Sequence, residues 1–441
     1  MADWYLLAKQ GGPLQGELSL GGAKNAVLVI MASLLLTRGT SRLKNVPASS
    51  DVLHMMELLR SLGAHVSFDQ KNNTLEIDTS FVNKWRVSPD SMRKMRASIL
   101  VMGPLLVRFS KAEIALPGGC VIGERPIDYH LKNFIKMGVS IAERGAYLNV
   151  HTNQLCAREL VLDYPSVGAT ENLMMAAVCT SGTTMIINAA LEPEVLDLIE
   201  VLKKMGAQIR IVPPAGLEII GVSELQPIEH EIMVDRLEAG VLLLAAAITG
   251  GSVSLPTARA DHLDLFLLKL EEMGHKIIVG ENKRGITLAA TDNPQAISFK
   301  TAPYPGFPTD LQAPMMAMQC IAQGKSVIEE TVFENRLLHV RELQKMGAQI
   351  DLHGNQATIT GVDELYGAQV IATDIRASSA LVLAGLVAKG STVMTGIHHW
   401  LRGYERLELK LSALGADIEI RQGDWRHIKT YQHDSLSSSS F

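Results

Sequence analysis

Cysteine is scarce in this chain, and its spacing does not suggest a metal site. Only four cysteines occur among 441 residues, namely Cys120, Cys156, Cys179 and Cys320. No two of them have the close pairing of zinc ligands, and the count is too low for a disulfide framework. The cysteines therefore predict neither a zinc centre nor a fold that depends on disulfides.

Long hydrophobic runs and an excess of one charge are also missing. The longest apolar run, 26–36, is too short to span a bilayer, and the first residues lack the pattern of a signal peptide. The net charge is −5, with 47% apolar and 20% charged residues. Such a surface is not one that attracts nucleic acid or anionic membranes as a whole. We therefore expect a cytoplasmic globular protein, with a disordered tail over residues 429–441.

What the chain does contain is one pattern that recurs six times: an amphipathic helix, a glycine after its last apolar turn, and a short strand. The glycines are Gly63, Gly138, Gly206, Gly274, Gly347 and Gly415. A glycine at this place supplies the left-handed residue that turns a helix into a strand. A second set of helices, apolar almost all round, alternates with the first, as expected of helices that sheets enclose.

Six such repeats are too many for one core of this length. The sequence therefore predicts two domains, each of three βαβαββ units. The expected boundaries are 24–233 for the first domain, and 1–23 plus 234–428 for the second. No linker rich in proline, glycine or serine lies at the midpoint, so we expect a short crossing.

Basic residues collect near the starts of these helices, where unpaired N–H groups and the helix dipole favour anions. They are Lys24, Arg96, Arg125, Arg336, Arg376 and Arg402. If equivalent ends face one direction, two opposed domains form a cationic cleft for a phosphate or carboxylate substrate. A single arginine at a helix start, however, more often pairs with a neighbouring acid.

One loop, LPGGCVIGERPID over residues 116–128, combines three glycines with Cys120 and Arg125. A mobile thiol beside a guanidinium can act as an acid or a nucleophile. The sequence is equally consistent with Cys120 being a small apolar residue packed in a turn. The other cysteines and the methionine-rich helices are predicted to be core.

Asp310 lies in YPGFPTDLQ and has two interpretations. The first, which the sequence favours, is an N-cap worth about 1 kcal/mol, a role for which Thr309 competes. The second is a general base held by the prolines. His398 and His399 have no partner at metal-ligand spacing and are assigned to a loop.

Longer motifs point to a family. Between about residue 10 and about residue 422 the chain contains, in order, GAKNA, MRAS, LPGGCVIGERPID, SVGATENLMMAA, YPGFPTDLQA, ETVFENR, DIRASSALVLAGL and LRGYERLELKL. With these motifs it resembles the UDP-N-acetylglucosamine enolpyruvyl transferases. The resemblance implies an α/β fold, the inverse α/β barrel. It also implies transfer of enolpyruvate from phosphoenolpyruvate to the 3-hydroxyl of UDP-N-acetylglucosamine with release of phosphate, without a metal or organic cofactor.

The resemblance also implies roles for individual residues. Cys120 would protonate the methylene carbon of phosphoenolpyruvate, could carry a phospholactoyl adduct and would be alkylated by fosfomycin, while Asp310 would be the base for the sugar hydroxyl. The phosphoenolpyruvate site would comprise Lys24, Asn25, Arg125 and Arg402, with Arg336 and Arg376 as candidates for its carboxylate. The nucleotide-sugar site would comprise Arg96, Arg125, Pro126, Ile127, Asp128, Tyr129, Ser166, Val167, Gly168, Asp310 and Val332.

Four positions depart from the usual residues of the family: Gly21 for serine, Val29 for proline, Tyr304 for histidine and Tyr164 for a basic residue.

Three alternative functions remain. An enolpyruvylshikimate-phosphate synthase is disfavoured by the Gly-Gly-Cys loop and the FPTD stretch. A catalytically silent paralogue that binds the nucleotide sugar would retain the fold without the activity. A ring-shaped clamp on DNA is disfavoured because the repeat-start helices are apolar.

Overall fold

The structure, a computed structural model, describes residues 3–90, 95–115, 127–428 and 430. Its strands form six four-stranded sheets with one shared order. In the strand order given below, the first strand of each sheet runs parallel to the second. The third strand lies between the second and the fourth and is antiparallel to both. The predicted α/β fold with six repeated units is therefore confirmed.

The described chain divides into two units. We call them the first unit (residues 21–90, 95–115 and 127–234) and the second unit (residues 3–20, 235–428 and 430). The sheets of the first unit are, in strand order, β14 (Glu229–Glu231), β3 (Thr40–Lys44), β5 (Thr74–Asp78) and β4 (His65–Asp69); β6 (Arg86–Val87), β7 (Lys111–Ala115), β9 (Tyr147–His151) and β8 (Ser140–Arg144); β10 (Glu159–Val161), β11 (Thr183–Ile187), β13 (Gly216–Ile220) and β12 (Gln208–Val212).

The second unit repeats this arrangement. Its sheets are β2 (Gln15–Glu17), β15 (Ser252–Arg259), β17 (Arg284–Ala289) and β16 (Lys276–Val279); β18 (Phe299–Lys300), β19 (Lys325–Glu329), β21 (Gln356–Thr360) and β20 (Gln349–His353); β22 (Gln369–Ile371), β23 (Ser391–Thr395), β1 (Asp3–Lys9) and β24 (Asp417–Gly423). The strands β1 and β2, from the start of the chain, thus complete sheets whose other members lie more than 200 residues away.

Apolar helices fill the centre of each unit. They are α1 (Lys24–Ser33), α3 (Met102–Phe109) and α5 (Val167–Ala177) in the first unit, and α7 (Arg236–Ile248), α9 (Gln312–Gln319) and α11 (Ile375–Val387) in the second. Within the second unit α7, α9 and α11 pack on one another. Side-chain caps begin three of these helices, from Ser166, Asp235 and Asp374.

The more polar helices expose one face. They are α2 (Ser50–Leu62), α4 (Asp128–Lys136), α6 (Pro193–Lys204), α8 (Asp264–Glu272), α10 (Val340–Lys345), α12 (His398–Gly403) and α13 (Leu407–Ala413). The six repeat glycines that follow this kind of helix all have φ between 89° and 110°. This backbone conformation confirms the reason given for glycine at these positions.

Several smaller predictions can be checked. The methionines of α5 and α9 are fully buried, and so is Cys320, as expected of core residues. Cys179 is half-buried and packs against the core of the first unit, whereas Cys156 is half-buried outside that core, so the assignment to the core is wrong for Cys156. The loop assignment of His398 and His399 is also wrong, because both lie in the first turn of α12.

No helix in the described part of the chain is long and apolar enough to cross a membrane. Most of the predicted tail, residues 429 and 431–441, lies outside the described residues.

Candidate active site

Asp310 lies between two arginines of the second unit. It belongs to a short 3-10 turn, Thr309–Leu311, directly before α9. Its Oδ1 accepts a hydrogen bond from Nη2 of Arg336 at 2.6 Å, and its Oδ2 accepts one from Nη2 of Arg376 at 3.1 Å. The carboxylate side chain is 26% exposed, whereas the arginine side chains are 3% and 6% exposed. The structure therefore brings together three of the predicted site residues.

The two guanidinium groups decide the charge state of Asp310. Burial acts to raise the pKa of this carboxyl, but the arginines outweigh burial and hold the pKa well below its usual range. Burial likewise acts to lower the pKa of Arg376, and Asp310 outweighs it and raises that pKa. Asp310 is thus an ionised hydrogen-bond acceptor and, while both arginines hold it, a weak base.

The N-cap interpretation of Asp310 is wrong. The N-cap positions of the 3-10 turn and of α9 are Pro308 and Leu311, and neither element has a side-chain cap. The carboxylate of Asp310 instead accepts from the two arginines. The hydroxyl of Thr309 does not cap the helix either; it donates to Oε2 of Glu330 at 2.9 Å.

Arg376 is held from three directions. Its backbone N–H donates to the Asp374 carboxylate at 2.8 Å at the start of α11, and its Nη1 donates to the hydroxyl of Tyr404 at 2.9 Å. The third contact is Asp310. Tyr404 was missed in the sequence analysis. Its place in LRGYERLELKL, two residues after Arg402, was the only signal available.

The other two predicted residues of the second unit lie on neighbouring segments. Val332 is half-buried, four residues before Arg336, and its N–H donates to Oε1 of Glu330 at 2.8 Å. Arg402 is half-buried on α12, which packs against α11, the helix that bears Arg376. Glu330 was also missed, because nothing in its sequence context marks it as buried.

In the first unit, Lys24 and Asn25 form the first turn of α1. Lys24 is 8% exposed, and its Nζ lies 3.2 Å from Oδ2 of Asp51 in α2. Asn25 is exposed. Asp51 is a third residue that the sequence analysis missed, although an acid in the first turn of a helix is common enough to conceal it.

Two stretches of the predicted nucleotide-sugar residues in the first unit lie on neighbouring helices. Ile127 to Tyr129 stand at the start of α4 and Ser166 to Gly168 at the start of α5, and the two helices pack together. A Cβ added at Gly168 would lie 3.5 Å from the ring of His130. Nδ1 of His130 in turn contacts Nδ2 of Asn172 at 3.2 Å.

Some predicted residues cannot be placed. Cys120, Arg125 and Pro126 lie outside the described residues, and so does the side chain of Arg96. The cleft expected between the two domains remains a prediction. The described residues contain no cluster of three or more histidine, cysteine, aspartate or glutamate side chains that could hold a metal ion.

The relatives found by comparison with known proteins are carboxyvinyltransferases. The sequence profile of EPSP synthase (3-phosphoshikimate 1-carboxyvinyltransferase) matches residues 8–411. UDP-N-acetylglucosamine 1-carboxyvinyltransferase 1 of Caldanaerobacter subterraneus subsp. tengcongensis is 47% identical over 412 residues, or 93% of this chain and 98% of its own length. UDP-N-acetylglucosamine 1-carboxyvinyltransferase of Geobacter metallireducens is 45% identical over 414 residues, with coverage of 94% and 98%.

Solved structures share the fold. The enolpyruvyl transferase NikO from Streptomyces tendae matches with a TM-score of 0.87 at 23% identity, covering 96% of this chain and 100% of its own. An EPSP synthase from Acinetobacter baumannii matches with a TM-score of 0.73 at 16% identity, with coverage of 95% and 100%. At these identities the likeness concerns the architecture.

Proposed function

This chain belongs to the enolpyruvyl transferase family of EPSP synthase and UDP-N-acetylglucosamine 1-carboxyvinyltransferase, and we propose that it catalyses the reaction of the latter. It transfers the enolpyruvyl group of phosphoenolpyruvate to the 3-hydroxyl of UDP-N-acetylglucosamine and releases phosphate. One observation supports this choice of acceptor: relatives that carry this name are 45–47% identical over 93–94% of the chain.

The reaction is an addition followed by an elimination. In the addition, the sugar oxygen bonds to C2 of phosphoenolpyruvate, the hydroxyl proton passes to a base, and a proton is added to C3. In the elimination, a proton leaves C3, the bond from C2 to the phosphate oxygen breaks, and the double bond returns. Two groups that move protons are needed, and we assign Asp310 to the hydroxyl and Cys120 to C3.

The pairing of Asp310 with Arg336 and Arg376 suggests how its basicity is controlled. A substrate carboxylate bound by these arginines competes with Asp310 for the same N–H donors. As the arginines release Asp310, its pKa moves back toward the usual value, so the occupied site contains a stronger base than the empty one. Proton removal is thereby favoured once phosphoenolpyruvate is bound.

The remaining cations suit the leaving phosphate. We assign Lys24, Arg125 and Arg402 to it, because fixed positive charge stabilises phosphate as it departs, and the neutral amide of Asn25 is assigned to the same site as a hydrogen-bond donor. Lys24 and Asn25 in addition begin a helix, whose N–H groups and dipole favour an anion.

The nucleotide sugar is assigned to Arg96, Arg125 to Tyr129, Ser166 to Gly168, Asp310 and Val332. The packing of α4 against α5 supports this assignment, since it gathers two of these stretches in one unit.

The proposed reaction is the first committed step of peptidoglycan synthesis and takes place in the cytoplasm. Loss of this activity would affect cell shape and division.

A phosphate-release assay tests the proposal. We expect release that requires both phosphoenolpyruvate and UDP-N-acetylglucosamine, and stabilisation of the protein against heat by the nucleotide sugar alone. Release with shikimate 3-phosphate in place of the nucleotide sugar would identify the sister activity. Heat stabilisation without release would identify a silent binding protein.

A further inference from the structure

Glu330 is a buried carboxylate that accepts four hydrogen bonds. The residue is 2% exposed and follows β19. Its Oε1 accepts from the hydroxyl of Thr301 at 2.9 Å and from the N–H groups of Val332 and Phe333 at 2.8 and 3.1 Å. Its Oε2 accepts from the hydroxyl of Thr309 at 2.9 Å. A buried carboxylate needs such donors, and bonds to a charged acceptor are stronger than neutral ones.

The four donors lie on two segments that both lead to the candidate active site. Thr309 immediately precedes Asp310. Val332 and Phe333 begin the segment that ends at Arg336, and the guanidinium of Arg336 lies 5.2 Å from the centre of the Phe333 ring. The two partners of the 2.6 Å bond between Arg336 and Asp310 therefore belong to chain segments that are attached to one carboxylate.

Further hydrogen bonds hold these segments in place. The N–H of Thr331 donates to the hydroxyl oxygen of Thr301 at 2.8 Å, and the side-chain amide of Asn355 donates to the carbonyl of Glu330 at 3.0 Å. Connecting segments of this kind are otherwise the mobile parts of a fold. Glu330 is the member of this network that contacts both segments through its side chain.

We propose that Glu330 is a positioning residue of the reaction, which fixes Asp310 through Thr309 and fixes Val332 through its backbone N–H. The inference rests on the proposed function and extends it to a residue outside the substrate-binding set. Loss of the Thr309 contact should misplace Asp310 and lower kcat. Loss of the backbone contacts should displace Val332 and raise KM for the nucleotide sugar.

Glu330→Gln is the central variant, because it preserves the shape of the side chain. The glutamine oxygen can still accept from the two N–H groups, and its amide can donate to the hydroxyl of Thr309, so we expect a folded protein. The neutral side chain holds Thr309 with reversed polarity and less firmly. Since a misplacement of about 1 Å can cost ~100-fold, we expect kcat to fall by ~10-fold. We also expect KM for UDP-N-acetylglucosamine to rise, because a neutral oxygen accepts from the N–H groups of Val332 and Phe333 less strongly than a carboxylate does.

Thr309 separates the two effects. Thr309→Val removes the hydroxyl that reaches Glu330 and should lower kcat without raising KM for the nucleotide sugar. Thr309→Ser keeps the hydroxyl and should retain kcat. Glu342→Gln is the matched control, because Glu342 is also a mostly buried carboxylate of the second unit and accepts from the N–H of Ile371 at 2.8 Å. It should leave kcat unchanged.

A double-mutant cycle with Asp310→Asn decides whether Glu330 acts through Asp310. We expect Glu330→Gln to reduce kcat about 10-fold in the wild-type background and less than about 2-fold in the Asp310→Asn background. The inference is overturned if the factor is the same in both backgrounds, or if kcat per folded molecule is unchanged and only Tm falls. A wild-type protein inactive with these substrates would refute the proposed function and the inference together, whereas normal Glu330 variants of an active protein would refute the inference alone.

Discussion

Asp310 neutralises Arg376, although the two residues are separated by 65 others in the sequence. Their contact, at 3.1 Å, and the contact of Asp310 with Arg336 at 2.6 Å give two nearly inaccessible guanidinium groups a common carboxylate. Breaking a buried ion pair by removing one partner is costly, because the other charge remains buried. Asp310 therefore has a structural role beside the chemical one proposed for it.

This dual role predicts two separable losses. Asp310→Ala should destabilise the protein by about 3 kcal/mol, as for other broken buried pairs. Asp310→Asn, which keeps hydrogen-bonding atoms, should destabilise it less. Both should lower kcat by ~100-fold or more, since neither side chain can accept a proton. Denaturant unfolding and phosphate release measure the two effects, and an Asn variant with wild-type kcat would exclude Asp310 as the base.

A second prediction concerns Cys120, which lies outside the described residues. Cys120→Ser should lower kcat while leaving the dissociation constant of UDP-N-acetylglucosamine nearly unchanged, and fosfomycin should inactivate the wild-type protein by attachment to Cys120. Burial raises the pKa of Cys179 to about 11 and that of Cys320 to about 12, so these thiols are not ionised at neutral pH. Intact-mass analysis should show one added fosfomycin.

The half-buried Cys156 provides the control for this experiment. Cys156→Ser should be inactivated by fosfomycin at the wild-type rate, and Cys120→Ser should show no added mass. A Cys120→Ser protein that loses nucleotide-sugar binding as well as turnover would indicate that the loop is structural.

A third prediction separates the roles of Lys24 and Asp51. Lys24→Ala should raise KM for phosphoenolpyruvate by about 10- to 100-fold, the equivalent of one lost hydrogen bond to a charged group. Asp51→Asn removes the negative charge of the ion pair with Lys24, whose atoms lie 3.2 Å apart, but keeps the lysine. It should leave that KM near the wild-type value. Equal increases in both variants would mean that Lys24 only supports the packing of α1 on α2.

The repeat could be predicted from the sequence because its signals are local. Gly206, for example, follows an apolar turn and precedes a strand, and its φ of 110° is what that context requires. The alternation of apolar and amphipathic helices is equally local. Strand pairing between distant segments, such as β1 within the sheet of β22, β23 and β24, carries no comparable signal.

Sequence motifs identified individual residues of the site, but they did not indicate which of these residues contact one another. Asp310, Arg336 and Arg376 were selected as separate residues near helix starts, yet their mutual contacts span tens of residues and appear only in the fold. The same is true of Glu330, whose buried environment depends on Thr301 and Thr309 from another segment. Local reasoning instead favoured a cap for Asp310, since a helix start is the only partner visible nearby in the sequence.

A fourth prediction uses two repeat glycines to separate backbone strain from packing. Gly206 has a φ of 110°, and a Cβ added there would have no heavy atom of the described residues within 4 Å. At Gly63, with a φ of 107°, an added Cβ would lie 2.8 Å from the carbonyl oxygen of Phe81. Gly206→Ala should destabilise the protein by about 1–2 kcal/mol through conformation alone. Gly63→Ala should cost more, and equal losses in denaturant unfolding would contradict this account.

The last prediction concerns acid stability. Burial lowers the pKa of His275, His339 and His399 to about 4 in the second unit. Because unfolded histidine has a pKa of about 6.5, the unfolded state binds more protons between about pH 6.5 and about pH 4. The contribution of these residues to the free energy of unfolding should therefore be fully present above about pH 6.5 and should decrease as the pH falls toward about 4.

His339 allows this effect to be isolated. It is fully buried, so His339→Leu removes a titrating group that has no contact with solvent. Between neutral pH and pH 4.5 the free energy of unfolding should fall less steeply for the variant than for the wild type. The difference in slope should correspond to at most about one proton taken up on unfolding. His275→Leu should show the same reduction, and the double variant twice as much. Because Glu171 is buried and its raised pKa has the opposite pH dependence, the comparison rests on differences between variants. A His339→Leu protein with the wild-type slope would mean that His339 is not buried in its neutral form.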